Sequence, residues 1–322
     1  MDARGRSTRR RVISAAVSLL LFAGAVYVLH AELRDHPLHE ILSELRSFSP
    51  VRLVLALGAT VLGYLALAGY DAVSLAALGR RLPFRRIAYA AFLGYAFANS
   101  LPLSVVTGAA VRYRLYSQWG IARGEAARVI TLNTITYVVG LLAASGVAFA
   151  IQPVLVPGFL RLPLHTVRPL GGICLLVVAG YLGWSRRSGE DLHLWRWRVP
   201  HPTFRRAAAQ IGVSLADWVF SGAALYVLLP SRVPFHVFFA VFLLGQIAGL
   251  IAQVPAGLGV FEAVMLWGLT PALSTPSVLV ALVGYRLVYF FLPLIIATGI
   301  WAWREGRRWR HRRPRHRRPA GG

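Results

Sequence analysis

Four charges stand where charge is expensive: Asp71, Asp217, Glu262 and Arg286 lie inside or at the edge of otherwise apolar stretches. A charge at the centre of an inserting helix costs on the order of 2.5–3.5 kcal/mol, so it needs a partner or a watery pocket. Glu262 and Arg286 have opposite signs and sit in successive apolar segments, and are expected to pair. Such a pair either locks one segment to the next or serves a transport path, and both readings stay open. Asp217 is a candidate to carry a coupled proton, although nothing in the sequence establishes energy coupling. Arg112 and Arg114 occur in Val111-Arg-Tyr-Arg-Leu-Tyr116. Guanidinium groups bind phosphate oxygens in a bidentate way, and tyrosines such as Tyr116 suit the headgroup level. A lipid phosphate is therefore a candidate ligand, while arginines at a membrane edge also serve orientation alone. Asn99 and Gln253 complete the candidate set, each beside a Pro-containing break in an apolar stretch.

Other chemistries find no residues to carry them. All 35 basic residues are arginine, so a P-loop lysine and a lysine Schiff base are both impossible. Cys174 is the single cysteine, and His36 and His39 lack Cys or further His partners, so neither a disulfide nor a metal site is expected. No nucleophile elbow or phosphate-cradling glycine loop appears, and Pro255-Ala-Gly-Leu-Gly259 lacks a βαβ context. No cofactor is expected.

The elements that must position these residues are membrane helices. The chain is 57% hydrophobic and 15% charged, which a soluble domain of this length rarely matches. Several apolar stretches reach the roughly 20 residues that cross a hydrocarbon core. Arginine clusters alternate with these stretches and give a net charge of +23. That placement points to topology and anionic lipid, with no nucleic acid partner expected. Full spans are expected at 12–29, 51–78, 129–151, 168–184, 207–229 and 277–303. Residues 32–44 are acidic and suit the outer face, and within them Leu38, Ile41 and Leu42 begin a helical apolar face that Leu45 continues. The stretch 87–107, broken at Asn99-Ser-Leu-Pro102, has arginines on both flanks and should enter and return on the inside. The stretch 235–270, broken at Val254-Pro-Ala-Gly-Leu-Gly259, must by parity enter and return on the outside.

The expected fold is thus all-α and polytopic, with about six full transmembrane helices plus two re-entrant helical hairpins. Residues 51–151 and 207–303 read as inverted repeats, each span, hairpin, span, which is a recurrent transporter design. Irregular backbone at such depth is tolerated only where protein or a wet cavity satisfies its polar groups. Residues 1–303 form one membrane unit, and 304–322 form an arginine-rich, disordered tail. The termini are expected in the cytoplasm of a bacterial plasma (inner) membrane. Asn133, Thr136, Tyr137 and Gly140 share a helical face, as do Gln246 and Gln253, so these faces pack on protein or cavity.

At the two breaks the sequence resembles the membrane domain of lysylphosphatidylglycerol synthase/flippase proteins and their stand-alone relatives. The carrying residues are Asn99-Ser-Leu-Pro102, Thr107-Gly-Ala-Ala-Val-Arg-Tyr-Arg-Leu-Tyr-Ser-Gln-Trp-Gly120, Pro255-Ala-Gly-Leu-Gly-Val-Phe-Glu262 and Tyr285-Arg-Leu-Val-Tyr-Phe-Phe-Leu-Pro293. The likeness covers about residues 10–303. It implies a lipid translocase in which Asp71, Arg112, Glu262 and Arg286 match positions of interest. The implied substrate is an anionic or aminoacylated phospholipid, or a polyprenyl-phosphate lipid. A separately encoded synthase and a homo-oligomer are possible partners. In two-domain relatives a cytoplasmic domain makes the aminoacylated lipid. Beyond Trp303 this sequence offers only an arginine-rich tail, so that catalytic domain is expected to be absent and the chain is not expected to be an enzyme. The alternative is a non-transporting accessory that presents lipid to a separately encoded synthase or glycosyltransferase.

Overall fold

The computed structural model describes residues 48–100, 104–152, 154–155, 166–187, 192–194, 197–199, 201–230, 233–252 and 259–310. The expected span 12–29, the acidic segment 32–44 and the residues of both breaks at 101–103 and 253–258 lie outside them.

The described chain is helical apart from one short ribbon. Helix α1 runs Pro50–Ala77, α2 Phe84–Ser100, α3 Ser104–Gln118, α4 Arg123–Ile151 and α5 Arg168–Arg186. A two-stranded antiparallel ribbon follows, β1 Leu192–Leu194 with β2 Trp197–Val199. Helices α6 Phe204–Tyr226, α7 Phe235–Ala252, α8 Val260–Leu269 and α9 Thr275–Tyr285 come next. A π-helical turn, Arg286–Phe291, then joins α9 to α10, Leu292–Arg310.

Five helical segments are long and apolar enough to cross a membrane: α1, α4, α5, α6 and the α9–π–α10 run. They match five of the six expected spans, and the sixth is 12–29. Their starts carry local signals. Proline opens the first turns of α1, α5 and α9, where its missing N–H is no loss. Glu125 closes back on α4, its Oε2 accepting from the Ala122 N–H at 3.1 Å. Broad apolar faces of α1 (Val51, Val54, Leu55, Val61) and α5 (Ile173, Leu176, Val177) point outward. That inverts the pattern of a water-soluble protein and suits acyl chains as solvent. The chain is a multi-pass membrane protein.

Between the long helices lie two short-armed hairpins. Helices α2 and α3, of 17 and 15 residues, pack on each other, as do α7 and α8, of 18 and 10 residues. Each repeat has its own apolar core, and each core borrows the last helix of the other repeat. Leu294, Ala297 and Trp301 of α10 join the core built by α1, α2 and α3. Leu141, Ala144, Ala148 and Phe149 of α4 join the core built by α6 to α9. The seam between the repeats is α1 against α6, the most extensive helix pair among the described residues. Close approach there needs a missing side chain: a β-carbon at Gly69 would stand 3.0 Å from Val213.

Candidate functional site

The first hairpin is tied to both neighbouring long helices by one carboxylate. Asp71 on α1 is fully buried, and Arg112 on α3 and Asn133 on α4 are nearly so. Arg112 Nε donates to Asp71 Oδ2 at 3.1 Å, and Asn133 Nδ2 donates to Asp71 Oδ1. Ser74, one turn beyond Asp71, donates to Asn133 Oδ1 at 2.7 Å and orients the amide. Arg112 also reaches the Gly108 carbonyl through Nη1 at 3.4 Å. Its Cζ lies 3.9 Å from the centre of the Tyr95 ring, a desolvated cation–π contact. Space for the guanidinium comes from glycine: a β-carbon on Gly94 would stand 2.8 Å from Arg112 Cζ. Among the described residues two buried polar atoms here make no hydrogen bond of ordinary geometry, Arg112 Nη2 and the Tyr116 hydroxyl, the latter lying near the Asp71 carboxylate. Both can donate, so the pocket holds spare capacity for an acceptor.

The second hairpin is pinned by the expected pair. Arg286 Nε donates to Glu262 Oε1 at 2.9 Å, and Arg286 Nη2 reaches the same oxygen. The other carboxylate oxygen accepts from the Gly259 N–H at 2.7 Å. Gly259 has φ +83°, a conformation that favours glycine, and so Glu262 fastens the start of α8 while holding Arg286. The pair is partly buried, with side-chain exposures of 14% for Arg286 and 21% for Glu262. Arg286 opens the π-helical turn, a device that re-aims side chains within a helix and recurs at functional sites.

Between the two pairs runs a line of polar groups along the seam. Ser214, Asp217 and Ser221 share one buried face of α6. Tyr70, next to Asp71 on α1, hydrogen-bonds Ser214 at 2.7 Å and donates to Asp217 Oδ2 at 2.9 Å. Ser221 is 2.9 Å from the hydroxyl of Tyr285, the residue before Arg286. Chain neighbours and hydrogen bonds thus connect Arg112–Asp71 through Tyr70 to Asp217, and Arg286–Glu262 through Tyr285 to Ser221; the two halves meet one turn apart on the same face of α6. An isolated buried ion is strongly unfavourable, and four of the five charges on this line neutralise one another in pairs.

The structure brings Asp71, Arg112, Tyr116 and Asn133 together at one end and Glu262 with Arg286 at the other. Asp217 stands between them. Asn99, in the last turn of α2, is half-buried and within hydrogen-bond reach of Tyr64. Arg114 lies 4.8 Å from the Trp301 ring centre on α10. Gln253 lies outside the described residues. Reading the sequence alone misses Tyr70, Ser214 and Ser221 as members of the line. Their signal is present in the i, i+3, i+7 spacing of Ser214, Asp217 and Ser221, which places three small polar residues on one helical face.

The sequence profile of the lysylphosphatidylglycerol synthase transmembrane region matches residues 12–297. An uncharacterized protein of Synechocystis, slr0712, is 35% identical over 287 residues, covering 88% of this chain and 89% of that protein. The inner membrane protein YbhN of Escherichia coli is 30% identical over 293 residues, covering 90% of this chain and 91% of its own length. A phosphatidylglycerol lysyltransferase of Staphylococcus aureus is 36% identical over 89 residues, 26% of this chain and 11% of that enzyme.

Proposed function

This chain belongs to the family of the lysylphosphatidylglycerol synthase transmembrane region, and from that premise we propose that it moves a phosphate-bearing lipid between the leaflets of a bacterial inner membrane. Its function is lipid-related and membrane-embedded; the translocase reading is the finer step. The observation that carries it is the polar line between two short-armed hairpins. A phosphate headgroup must shed water to cross, and fixed donors and charges lower that cost. At one end, the spare donors of Arg112 Nη2 and Tyr116 suit phosphate oxygens. At the other, Arg286 is a second guanidinium that a phosphate can take over from Glu262. The acyl chains stay in the bilayer against the outward apolar faces.

In this reading the hairpins enter and leave on one side each. Their arms, at 10 to 18 residues, are shorter than the roughly 20 residues of a full crossing. The arginine clusters at 80–86 and 304–318 support chain ends in the cytoplasm. Anionic or aminoacylated phosphatidylglycerol is the substrate class that the names of the family and of the staphylococcal relative support. Polyprenyl-phosphate lipids share the same phosphate chemistry.

The test is transfer of labelled anionic and aminoacylated lipids by the purified protein in liposomes, comparing wild type with Glu262→Gln and Arg286→Gln. Headgroup-selective transfer that falls at least tenfold in both variants, with folding intact, is the expected result. Wild-type transfer no faster than in protein-free liposomes would remove the translocase reading. It would favour an accessory that presents lipid to a separately encoded synthase or glycosyltransferase, a partner that co-purification would then identify.

A further inference from the structure

The buried charges along the seam do not balance. Asp71 has Arg112 and Glu262 has Arg286, whereas Asp217 has no cation within ion-pair distance among the described residues. It is only 5% exposed, and its one hydrogen bond among the described residues comes from the Tyr70 hydroxyl to Oδ2. Its electrostatic neighbours are hydroxyls on almost every side: Tyr64 and Tyr70 of α1, Tyr95 of α2, Tyr137 of α4, Tyr285 of α9 and Tyr289 of the π turn. From α7 the face of α6 meets phenylalanine, Phe239 and Phe242 against Gly222. From α5, Tyr181 is bonded to Gln210, two turns from Asp217, Arg186 lies over Phe204 at the far start of α6, and the Cys174 thiol is buried and uncharged. The guanidiniums at the two ends of the polar line, Arg112 and Arg286, are already held by their own carboxylates. A lone carboxylate in such a place is neutralised by binding a proton or a cation.

We propose that Asp217 is a proton-binding site at the seam between the repeats, protonated while α1 and α6 are closed together and ionised when that contact opens. The proton sits on Oδ1, and Tyr70 continues to donate to Oδ2. Opening the seam exchanges Tyr70 for water, which accepts the proton and solvates the carboxylate. This step rests on the translocase reading for its consequence, that lipid movement is linked to proton movement. The proton site itself does not depend on that reading.

Two measurements decide it. Infrared difference spectra of the purified protein across a pH series should show a carboxylic-acid carbonyl band that disappears on ionisation. That band should be missing from Asp217→Asn and present, shifted, in Asp217→Glu. The asparagine variant keeps an acceptor for Tyr70 and nearly the same shape, so it is expected to fold. Identical spectra for wild type and Asp217→Asn, with Asp217 ionised throughout, would overturn the proposal and leave a cation as the neutralising group. In liposomes, reversing an imposed pH gradient should change wild-type transfer of labelled phosphatidylglycerol several-fold and leave Asp217→Asn unresponsive. Wild-type transfer indifferent to the gradient would overturn the linkage while the translocase reading survived. If wild type transfers no lipid, the translocase reading fails and the infrared band alone decides the proton site.

Discussion

The Arg112 guanidinium commits Nε to Asp71, Nη1 to the Gly108 carbonyl and its flat face to Tyr95. Arg112 and Asp71 side chains are 6% and 0% exposed, so neither charge can fall back on water. Removing one partner strands the other, a loss of about 3–5 kcal/mol for a buried pair, whereas removing both leaves little to pair. Arg112→Gln and Asp71→Asn should therefore each destabilise the protein strongly. The double variant should recover most of that loss. Thermal unfolding of the four proteins in detergent closes the cycle, and simple additivity would mean the pair is not coupled. Glu262→Gln should lose only about 1 kcal/mol, because that pair is wetter. Positive-inside clustering explains Arg112 as a topology arginine just as well as its pairing does, so the sequence alone leaves its partner open. The Asp71 partner becomes visible only once α3 folds back on α1. Glu262 with Arg286 was legible, because the two charges fall in successive apolar segments and each needs an opposite.

Helices α4 and α6 meet with no room to spare at Gly140, where an added β-carbon would overlap the Ser214 side chain. The contact matters beyond packing, since Ser214 is the residue that fixes Tyr70. Gly140→Ala should lower stability by about 1–3 kcal/mol, the range for overpacking a tight interface. It should also weaken the Tyr70–Asp217 bond. Gly180→Ala on α5 is the matched control: nothing lies within 4 Å of that position, and alanine favours helix. Unfolding midpoints that move equally in the two variants would show that Gly140 is not a contact point. At this scale most of the fold was legible. Apolar length marked the five described spans. The π turn at Arg286–Phe291 was not, because π and α backbone share the same apolar residues. The ribbon at 192–199 was not either, because its alternating arginine, tryptophan and leucine sat in a loop read for charge.

The reciprocal loan of α4 and α10 binds the two repeats into one body. Neither core is complete without a helix from the other half. The translocase reading requires motion between the repeats, and it assigns that motion to the α1–α6 seam, where the polar line runs, or to the hairpins that the ion pairs hold. The proposed inverted arrangement makes a demand that no single helix makes: the flanks of each hairpin lie on one side, and the two hairpins on opposite sides. Arg85, Arg123, His236 and Ala272 are exposed flank positions, and the native Cys174 is buried. Single cysteines at those four sites can therefore be labelled by membrane-impermeant maleimide in oriented vesicles, with Cys174→Ala as background. Arg85→Cys and Arg123→Cys should label from the cytoplasmic face only, and His236→Cys and Ala272→Cys from the opposite face only. If 85 and 123 label from opposite faces, the first hairpin is a crossing, the parity of every later span reverses, and the inverted repeat is lost. If 85 and 123 share one face while 236 and 272 share that same face, both hairpins open to one side. The polar line would then face a single leaflet, which is the geometry of a lipid-presenting accessory.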